Sequence, residues 1–364
     1  MKTARKKRDK VTKGIWFINM LMCVLLLAGS SKSIFANNIF EDPQTIQYDQ
    51  VQYSDNGLLD NLITVDDEHF DIAEVSLLLA KDEYSGIKVE DYVECVDWYA
   101  RMIKVRIADG DGPKWIINII NKFLFDELGF IYVPTGNLED LYLNKVIDRR
   151  KGNCVGLSIL YLSIAERLGL PLFGVNVPEH IFVRYDDGKQ KINIETGHKG
   201  MSLPNTFYVK HSVEQFDEES VTHGCYLQNL DNKEVISNIL LNRSKIRRED
   251  GDHRGALGDC KKSILLNPKN PAAYCNRGVV YEKMGLIAEA IKDYSMAISL
   301  NSKYASAYYN RGSLLGVVGK YGKAIEDFNV AITVNPKFTL FYLNRAIAFK
   351  KIGKVDKAIQ DYNA

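Results

Sequence analysis

The sequence predicts an α+β domain with a helical N-terminal half and an antiparallel sheet, followed by an all-α solenoid of helical repeats. Three observations predict this division. Apolar residues recur with helical spacing over residues 70–150, and two segments rich in β-branched and aromatic residues flank a polar turn near residue 187. From about residue 237 the same residue types recur every 34 residues, a period typical of stacked helix pairs.

The first 36 residues are basic and then apolar. Residues 1–13 contain seven Lys or Arg, and residues 15–28 are largely apolar. An apolar run of this length is short for a membrane-spanning helix and typical of a secretory signal. We therefore expect residues 1–36 to be a signal peptide ending near Ala36, or an N-terminal membrane anchor if uncleaved, and the body to be exported to a periplasmic or extracellular location. Residues 37–58 are polar and are interpreted as a linker.

Net charge argues against nucleic acid as a partner. Because eight of the 47 basic and one of the 46 acidic residues lie in residues 1–36, the remaining chain has 39 basic and 45 acidic residues, a net charge of −6. This part of the sequence has no basic stripe interleaved with aromatic residues, which nucleic-acid binding would favour. Membrane contact is expected only through the N-terminal segment, if it stays uncleaved.

Helical segments are predicted before the cysteine motif, at residues 70–81, 89–107, 113–128 and 138–149. Residues 154–168 then have the apolar spacing of a helix with one buried face. Gly152 and Asn153 precede this helix, so Cys154 falls in its first turn. Unpaired N–H groups and the positive end of the helix dipole stabilise a thiolate there. The sequence therefore predicts a nucleophilic role for Cys154.

A predicted hairpin follows the cysteine helix. Its strands cover residues 181–185 and 191–194, and residues 206–209 are predicted as one more strand. If the turn is centred between Asp187 and Gly188, paired residue numbers sum to 375. That register sets His180 directly opposite Glu195, on one face of the hairpin, where the two side chains can form a hydrogen bond.

A cysteine at a helix start, a histidine opening a strand and an acidic residue on the next strand match the roles of nucleophile, base and base-orienting group. Together with Arg-Arg-Lys-Gly at residues 149–152 and the helices before it, this arrangement resembles the transglutaminase-like superfamily over about residues 66–200. The resemblance implies a papain-like core in which Cys154 is the nucleophile, His180 the base and Glu195 the orienting group.

An oxyanion hole beside Cys154 needs the backbone N–H of Cys154 and one further donor, for which Asn153 and Asn144 are the candidates. Neither a metal nor a cofactor is predicted, because His198 and His211 have no paired metal-ligand spacing with His180 or Cys154. Taken singly, such a cysteine or histidine is more often structural. The prediction therefore depends on all three residues occurring in this order on these elements.

The C-terminal part of the sequence is periodic. This pattern resembles the tetratricopeptide repeat, and we expect four repeats over residues 237–364, the last of them incomplete. In each repeat an Arg is followed sixteen residues later by an Asp, which predicts a contact between the two. The pairs are Arg243 and Asp259, Arg277 and Asp293, Arg311 and Asp327, and Arg345 and Asp361. The concave surface of such repeats suits a protein or peptide partner.

These features predict an exported transglutaminase-like thiol enzyme that acts on amide or peptide bonds of a protein substrate, by hydrolysis, deamidation or acyl transfer. The catalytic domain is expected at residues 59–230 and the protein-binding repeats at residues 237–364. The alternative is a non-catalytic scaffold in which the repeats recruit a partner and the core is inactive. The five cysteines after residue 36 do not have the distribution of a disulfide scaffold.

Overall fold

The computed structural model describes residues 70–134, 137–212, 216 and 218–363. The predicted leader at residues 1–36 and the predicted linker at residues 37–58 lie outside the described residues. Within the part of the chain that is described, none of the helices has the length and apolar character needed to cross a membrane.

Helices form the first half of the core, as the sequence predicts. Asp71 caps the first of them by accepting the N–H groups of Ala73 and Glu74. The third helix begins with a proline and continues as a π-helical turn over Lys122–Glu127. A separate 3₁₀ turn at Leu138–Asp140 precedes the fourth. The helices are α1 Ile72–Lys81, α2 Val89–Lys104, α3 Pro113–Asn121, α4 Leu143–Arg149 and α5 Cys154–Arg167.

An antiparallel sheet packs against α5. Its strand order is β5-β4-β3-β6, and a separate parallel pair, β1 with β2, lies before α5 in the chain. Ile181, Val183, Ile192 and Ile194 are buried in one apolar cluster with residues of α5, so they lie on the sheet face that packs against this helix. The strands are β1 Ile131–Tyr132, β2 Lys151–Gly152, β3 Leu172–Val177, β4 His180–Asp186, β5 Lys191–Ile194 and β6 Asn229–Leu230.

The register of the β4–β5 hairpin differs by two residues from the predicted one. Val183 pairs with Ile194, so paired residue numbers sum to 377 instead of 375. The cause lies in the turn, where Asp187 Oδ1 accepts the N–H groups of Lys189 at 2.9 Å and Gln190 at 2.8 Å. These bonds centre the turn one residue later than expected. Because a two-residue slip is even, every side chain keeps its predicted face.

The predicted strand at residues 206–209 is wrong. These residues lie in a helix, α6 Asn205–His211, which is followed by the short helix α7 Glu218–Thr222. A short apolar run does not distinguish a strand from a helix by its pattern alone. Packing decides here, because the ring of Tyr208 stacks on that of Phe182 with centroids 3.9 Å apart and so covers the second face of the sheet.

Paired helices form the C-terminal part, and the predicted Arg–Asp contact is present in each pair. The shortest N–O distances are 2.7 Å for Arg243–Asp259, Arg277–Asp293 and Arg311–Asp327, and 2.6 Å for Arg345–Asp361. Each guanidinium binds its carboxylate through two nitrogens. The helices are α8 Asn232–Glu249, α9 His253–Leu266, α10 Pro271–Lys283, α11 Ile287–Leu300, α12 Ala305–Val317, α13 Tyr321–Val334, α14 Thr339–Lys351 and α15 Val355–Tyr362.

Helix α8 belongs both to the repeats and to the core. Its residues Val235, Ile236, Ile239 and Leu240 are buried in the same apolar cluster as α1 and α5. Its Arg243 also donates a hydrogen bond to the Leu79 carbonyl at the end of α1, at 3.3 Å. The first repeat is therefore packed onto the core through a shared apolar interior.

Candidate active site

Cys154 is the first residue of α5, as predicted. Asn153 caps this helix, because its side-chain oxygen accepts the N–H groups of Val155 and Gly156, both at 3.0 Å. The N–H of Cys154 itself has no acceptor within the described residues. The half-buried side chain of Cys154 therefore lies beside an unused backbone donor at a helix N-terminus.

Close packing fixes the start of α5. A Cβ atom at Gly156 would lie 2.5 Å from the backbone oxygen of Asp140 and 2.8 Å from a methyl group of Val146. The N–H of Asn153 also donates to the Asp140 oxygen, at 2.8 Å. Because only glycine allows this approach, the position of Cys154 depends on Gly156.

His180 begins β4, directly after the turn formed by Pro178 and Glu179. It pairs with Val177 of β3, and Glu179 has a left-handed backbone conformation with φ of 58°. The Nε2 atom of His180 lies 2.8 Å from Oε2 of Glu195, which confirms the predicted contact between these two side chains. The sequence predicts that the two residues are directly opposite each other, but the observed register places them on diagonal positions.

Glu195 follows β5 and is only 2% exposed. Its second oxygen, Oε1, accepts the N–H of Gly197 at 2.9 Å. The Tyr208 hydroxyl is buried beside this carboxylate, and burial and Glu195 both raise the pKa of the phenol. The hydroxyl nevertheless forms no hydrogen bond of normal geometry within the described residues. His180 at Oε2 and the Gly197 N–H at Oε1 thus hold the orientation of the Glu195 carboxylate.

The pKa values of His180 and Glu195 indicate an ion pair. Burial by itself would lower the pKa of His180, but hydrogen bonds with Cys154 and Glu195 outweigh it and raise the pKa to about 10. Burial would raise the pKa of Glu195, but His180 and the Gly197 N–H hold it below its usual value. Near neutral pH the imidazole is therefore protonated, and it contacts both the carboxylate and the side chain of Cys154.

Cys154 and His180 line a cleft whose far wall is formed by the repeats. Glu179 and Lys245 connect the two walls, with Lys245 Nζ 2.7 Å from Glu179 Oε2. On the core side the cleft is lined by Cys154, Val155, Asn176, Val177, Pro178, Glu179, His180, Ile181 and Tyr226. On the repeat side it is lined by Asn238, Leu241, Asn242, Lys245, Asn270 and Ala272.

Both parts of the chain match known protein families. Residues 90–241 match the transglutaminase-like superfamily, and residues 271–304 and 305–338 each match the tetratricopeptide repeat. The chain has a transglutaminase-like domain followed by tetratricopeptide repeats. The match of the first family includes Cys154, His180 and Glu195 and extends to the end of the apolar segment of α8.

The chain is also similar to several curated proteins. A UPF0162 protein of Xylella fastidiosa (strain Temecula1) is 29% identical over 240 residues, which are 63% of this chain and 83% of the relative. Protein SirB1 of Salmonella typhimurium is 27% identical over 149 residues, 40% of this chain and 54% of the relative. F-box only protein 21 of Mus musculus is 35% identical over 86 residues, 22% of this chain and 13% of the relative.

The chain is also similar to solved structures. A crystal structure of MamA is 28% identical with a TM-score of 0.34, and the match covers 35% of this chain and 74% of that chain. The TPR domain of Arabidopsis OM64 is 21% identical with a TM-score of 0.32, and the match covers 32% of this chain and 98% of that chain.

The two asparagines predicted for the oxyanion hole of the transglutaminase-like domain have different surroundings. Asn153 uses its side-chain oxygen to cap α5, and Asn144 is buried at 2% exposure and does not line the cleft. Their role stays a prediction. Asn176, which does line the cleft, is not among the residues that the sequence predicts for the site. Only strand pairing identifies it, because Asn176 lies opposite Ile181, next to His180.

The other histidines and cysteines of the transglutaminase-like domain form no second site within the described residues. His211 Nδ1 contacts the Phe207 carbonyl at 2.8 Å. In the described part of the chain, no group of three or more His, Cys, Asp or Glu side chains could hold a metal ion. In that part of the chain the five cysteines form no disulfide bond, and Cys225, Cys260 and Cys275 are buried.

Proposed function

We propose that this protein is a thiol-dependent enzyme that transfers or hydrolyses acyl groups at amide or peptide bonds of a protein substrate. The single observation that carries the proposal is that the buried Glu195 carboxylate holds His180 at 2.8 Å, while His180 also contacts the Cys154 side chain. An imidazolium next to a sulfur at a helix N-terminus favours the thiolate, which is the reactive form.

In the first step the Cys154 sulfur attacks the carbonyl carbon of the amide, and a C–S bond forms. Because Glu195 occupies Nε2 of His180, Nδ1 is the nitrogen that faces the reaction. The Nδ1 proton passes to the amide nitrogen, the C–N bond breaks and the amine leaves. The backbone N–H of Cys154 has no other acceptor within the described residues and is the donor for the oxyanion that develops.

In the second step water attacks the thioester carbonyl. A C–O bond forms, His180 accepts a proton from the water, the C–S bond breaks and the carboxylic acid leaves. The thiolate and the imidazolium are then restored, so the net reaction consumes one water and yields an acid and an amine. An amine in place of water would give a new amide by the same route.

Alkylation with iodoacetamide near neutral pH tests the proposal. We expect Cys154 to react faster than Cys95, Cys225, Cys260 and Cys275, as measured by mass spectrometry of digested protein. The faster rate should be lost in His180→Ala and kept in His211→Ala, which removes an exposed histidine outside the site. Equal and slow labelling of all five thiols, or an unchanged Cys154 rate in His180→Ala, would contradict the enzyme and favour a scaffold with an inactive core.

We also propose that the repeats bind a protein partner and that the chain is exported. The first proposal is supported by the family match of the repeats and by the cleft at their first helix, which is lined in part by Asn238, Asn242 and Lys245. The second is supported only by the basic and apolar pattern of residues 1–36. Cell fractionation of the full chain, together with the mass of its mature form, tests export, and recovery in the cytosol would contradict it.

A further inference from the structure

The cleft beside Cys154 is shared between two domains. One wall consists of the start of α5 and the end of the β3–β4 hairpin, and the other of α8 and the start of α10. Since Lys245 of α8 pairs with Glu179 of the hairpin, the two walls are connected at the cleft itself. Cys154 and residues of α8 therefore line the same cleft.

Asn176 provides unused hydrogen-bonding groups on the core wall. The residue is only 5% exposed, and its side-chain amide has no hydrogen bond within the described residues, although its backbone is paired in the sheet. Although the residue is almost fully buried, the nitrogen and oxygen of its side-chain amide remain accessible to solvent. The amide lines the cleft, so a ligand there could use both its donor and its acceptor.

Asn270 provides a similar group on the repeat wall. It is also only 5% exposed, and its side-chain oxygen caps α10 by accepting the N–H of Ala272 at 3.0 Å. Its Nδ2 group has no acceptor within the described residues, and the residue lines the cleft. Among the described residues, the repeat wall thus has an amide donor without an acceptor, and the core wall has an amide whose donor and acceptor are both without a partner.

The charge and length of the cleft favour an extended neutral chain. Apart from His180, its charged lining residues are Glu179 and Lys245, and they neutralise each other. The lining residues of α8 run from Asn238 to Lys245, about 10 Å along a helix. That length corresponds to about three residues of extended polypeptide.

We propose that this cleft binds an extended polypeptide segment of the substrate, whose backbone groups form hydrogen bonds with Asn176 of the core and Asn270 of the repeats. A peptide group carries one donor and one acceptor, which side-chain amides match. Helix α8 and the start of α10 thereby form a specificity-determining wall of the active site. This inference rests on the proposed thiol chemistry of Cys154.

Two probes with the same reactive group test the inference on the full chain. One is chloroacetamide, and the other is a neutral alanine-serine hexapeptide with an N-terminal chloroacetyl group. In both reactions the Cys154 thiolate forms a C–S bond with the chloroacetyl CH₂ carbon and chloride leaves. We expect the hexapeptide to alkylate Cys154 about tenfold faster than chloroacetamide, because backbone hydrogen bonds add to its binding.

Asn270→Ser keeps a helix-capping hydroxyl but removes the amide donor. In this variant the ratio of the hexapeptide rate to the chloroacetamide rate should fall by about threefold to tenfold, the effect of one lost hydrogen bond. Asn176→Ser should act in the same way. Asn276→Ser, which removes an asparagine of α10 outside the cleft, should change neither rate.

Equal rates for the two probes in the unmodified protein would overturn the inference. It would also be overturned if the hexapeptide kept its full advantage in both Asn270→Ser and Asn176→Ser. Slow labelling of Cys154 by both probes, unchanged in His180→Ala, would be a different result. It would contradict the thiol enzyme itself, and the cleft proposal with it.

Discussion

His180 Nε2 and Glu195 Oε2 lie 2.8 Å apart although the two residues are not cross-strand partners. Since Val183 pairs with Ile194, the next position along places Phe182 level with Glu195. Side chains on diagonal positions of one sheet face are close enough to meet when they are long. The contact thus depends on the length of a glutamate, whose second oxygen is held by the Gly197 N–H at 2.9 Å.

Glu195→Gln should lower the pKa of His180. The contact with Glu195 is one of the causes that raise this pKa to about 10, and glutamine removes the negative charge while it keeps a similar shape. Titration of the imidazole protons by NMR measures the shift, with His211 as an internal control in the same spectra. An unchanged His180 pKa in the variant would show that Glu195 does not stabilise the imidazolium.

The stability of the domain should decrease as pH rises above neutral. His180 has a pKa of about 10 in the folded state, against 6.5 for an unperturbed histidine. Between these values the folded protein binds more protons than the unfolded chain, so the contribution of His180 is complete below about pH 6.5 and is lost as pH rises towards 10. Urea unfolding at pH 6 and pH 10 measures it, and His180→Ala should show a smaller difference between the two.

Glu195 should act in the opposite direction at acid pH. Its pKa is lowered in the folded state from 4.5, so its stabilising contribution is present above that pH and is lost as pH falls below it. Glu195→Gln should therefore lose less stability than the unmodified protein between pH 5 and pH 3, measured by the same urea titration. An equal loss in both proteins would contradict the lowered pKa.

Gly156→Ala should destabilise the protein by about 1–3 kcal/mol and slow the alkylation of Cys154. The new methyl group would lie 2.5 Å from the Asp140 backbone oxygen, so the start of α5 must move. Gly258→Ala in α9 is the matched control, because a Cβ there meets nothing within 4 Å, and it should stabilise by up to about 1 kcal/mol. Thermal unfolding of both variants measures the difference, and similar effects would contradict the close packing.

Arg243→Ala should cost more stability than Arg345→Ala at the same repeat position. Arg243 is 1% exposed and its partner Asp259 2%. Removal of Arg243 leaves a buried carboxylate whose remaining ion-pair partner among the described residues is Arg247, at 3.1 Å. We expect a loss of about 3 kcal/mol. The Arg345 side chain is 18% exposed, and its loss should cost about 1 kcal/mol. Urea unfolding measures both, and equal losses would contradict the special burial of the first repeat.

The local sequence was sufficient to predict a structural feature where the contacts that determine this feature lie within one element or one repeat. Cys154 falls at a helix start because Asn153 is a good cap and the apolar spacing begins at that point. Arg277 meets Asp293 because both belong to one helix pair. The roles of Cys154, His180 and Glu195 could be proposed for the same reason, since each side chain lies at the end of a short, strongly patterned element.

Only the tertiary structure decided what depends on packing between distant segments. The hydrogen bonds of Asp187 in the turn set the hairpin register. The stacking of Tyr208 on Phe182 stabilises a helix in a segment whose pattern also suits a strand. Asn176 and Asn270 carry no signal in the sequence. They line one cleft because the apolar face of α8 is buried in the core. Residues from any part of the chain can bury an apolar surface, whereas a helix cap or a repeat depends on residues that are close together in the sequence.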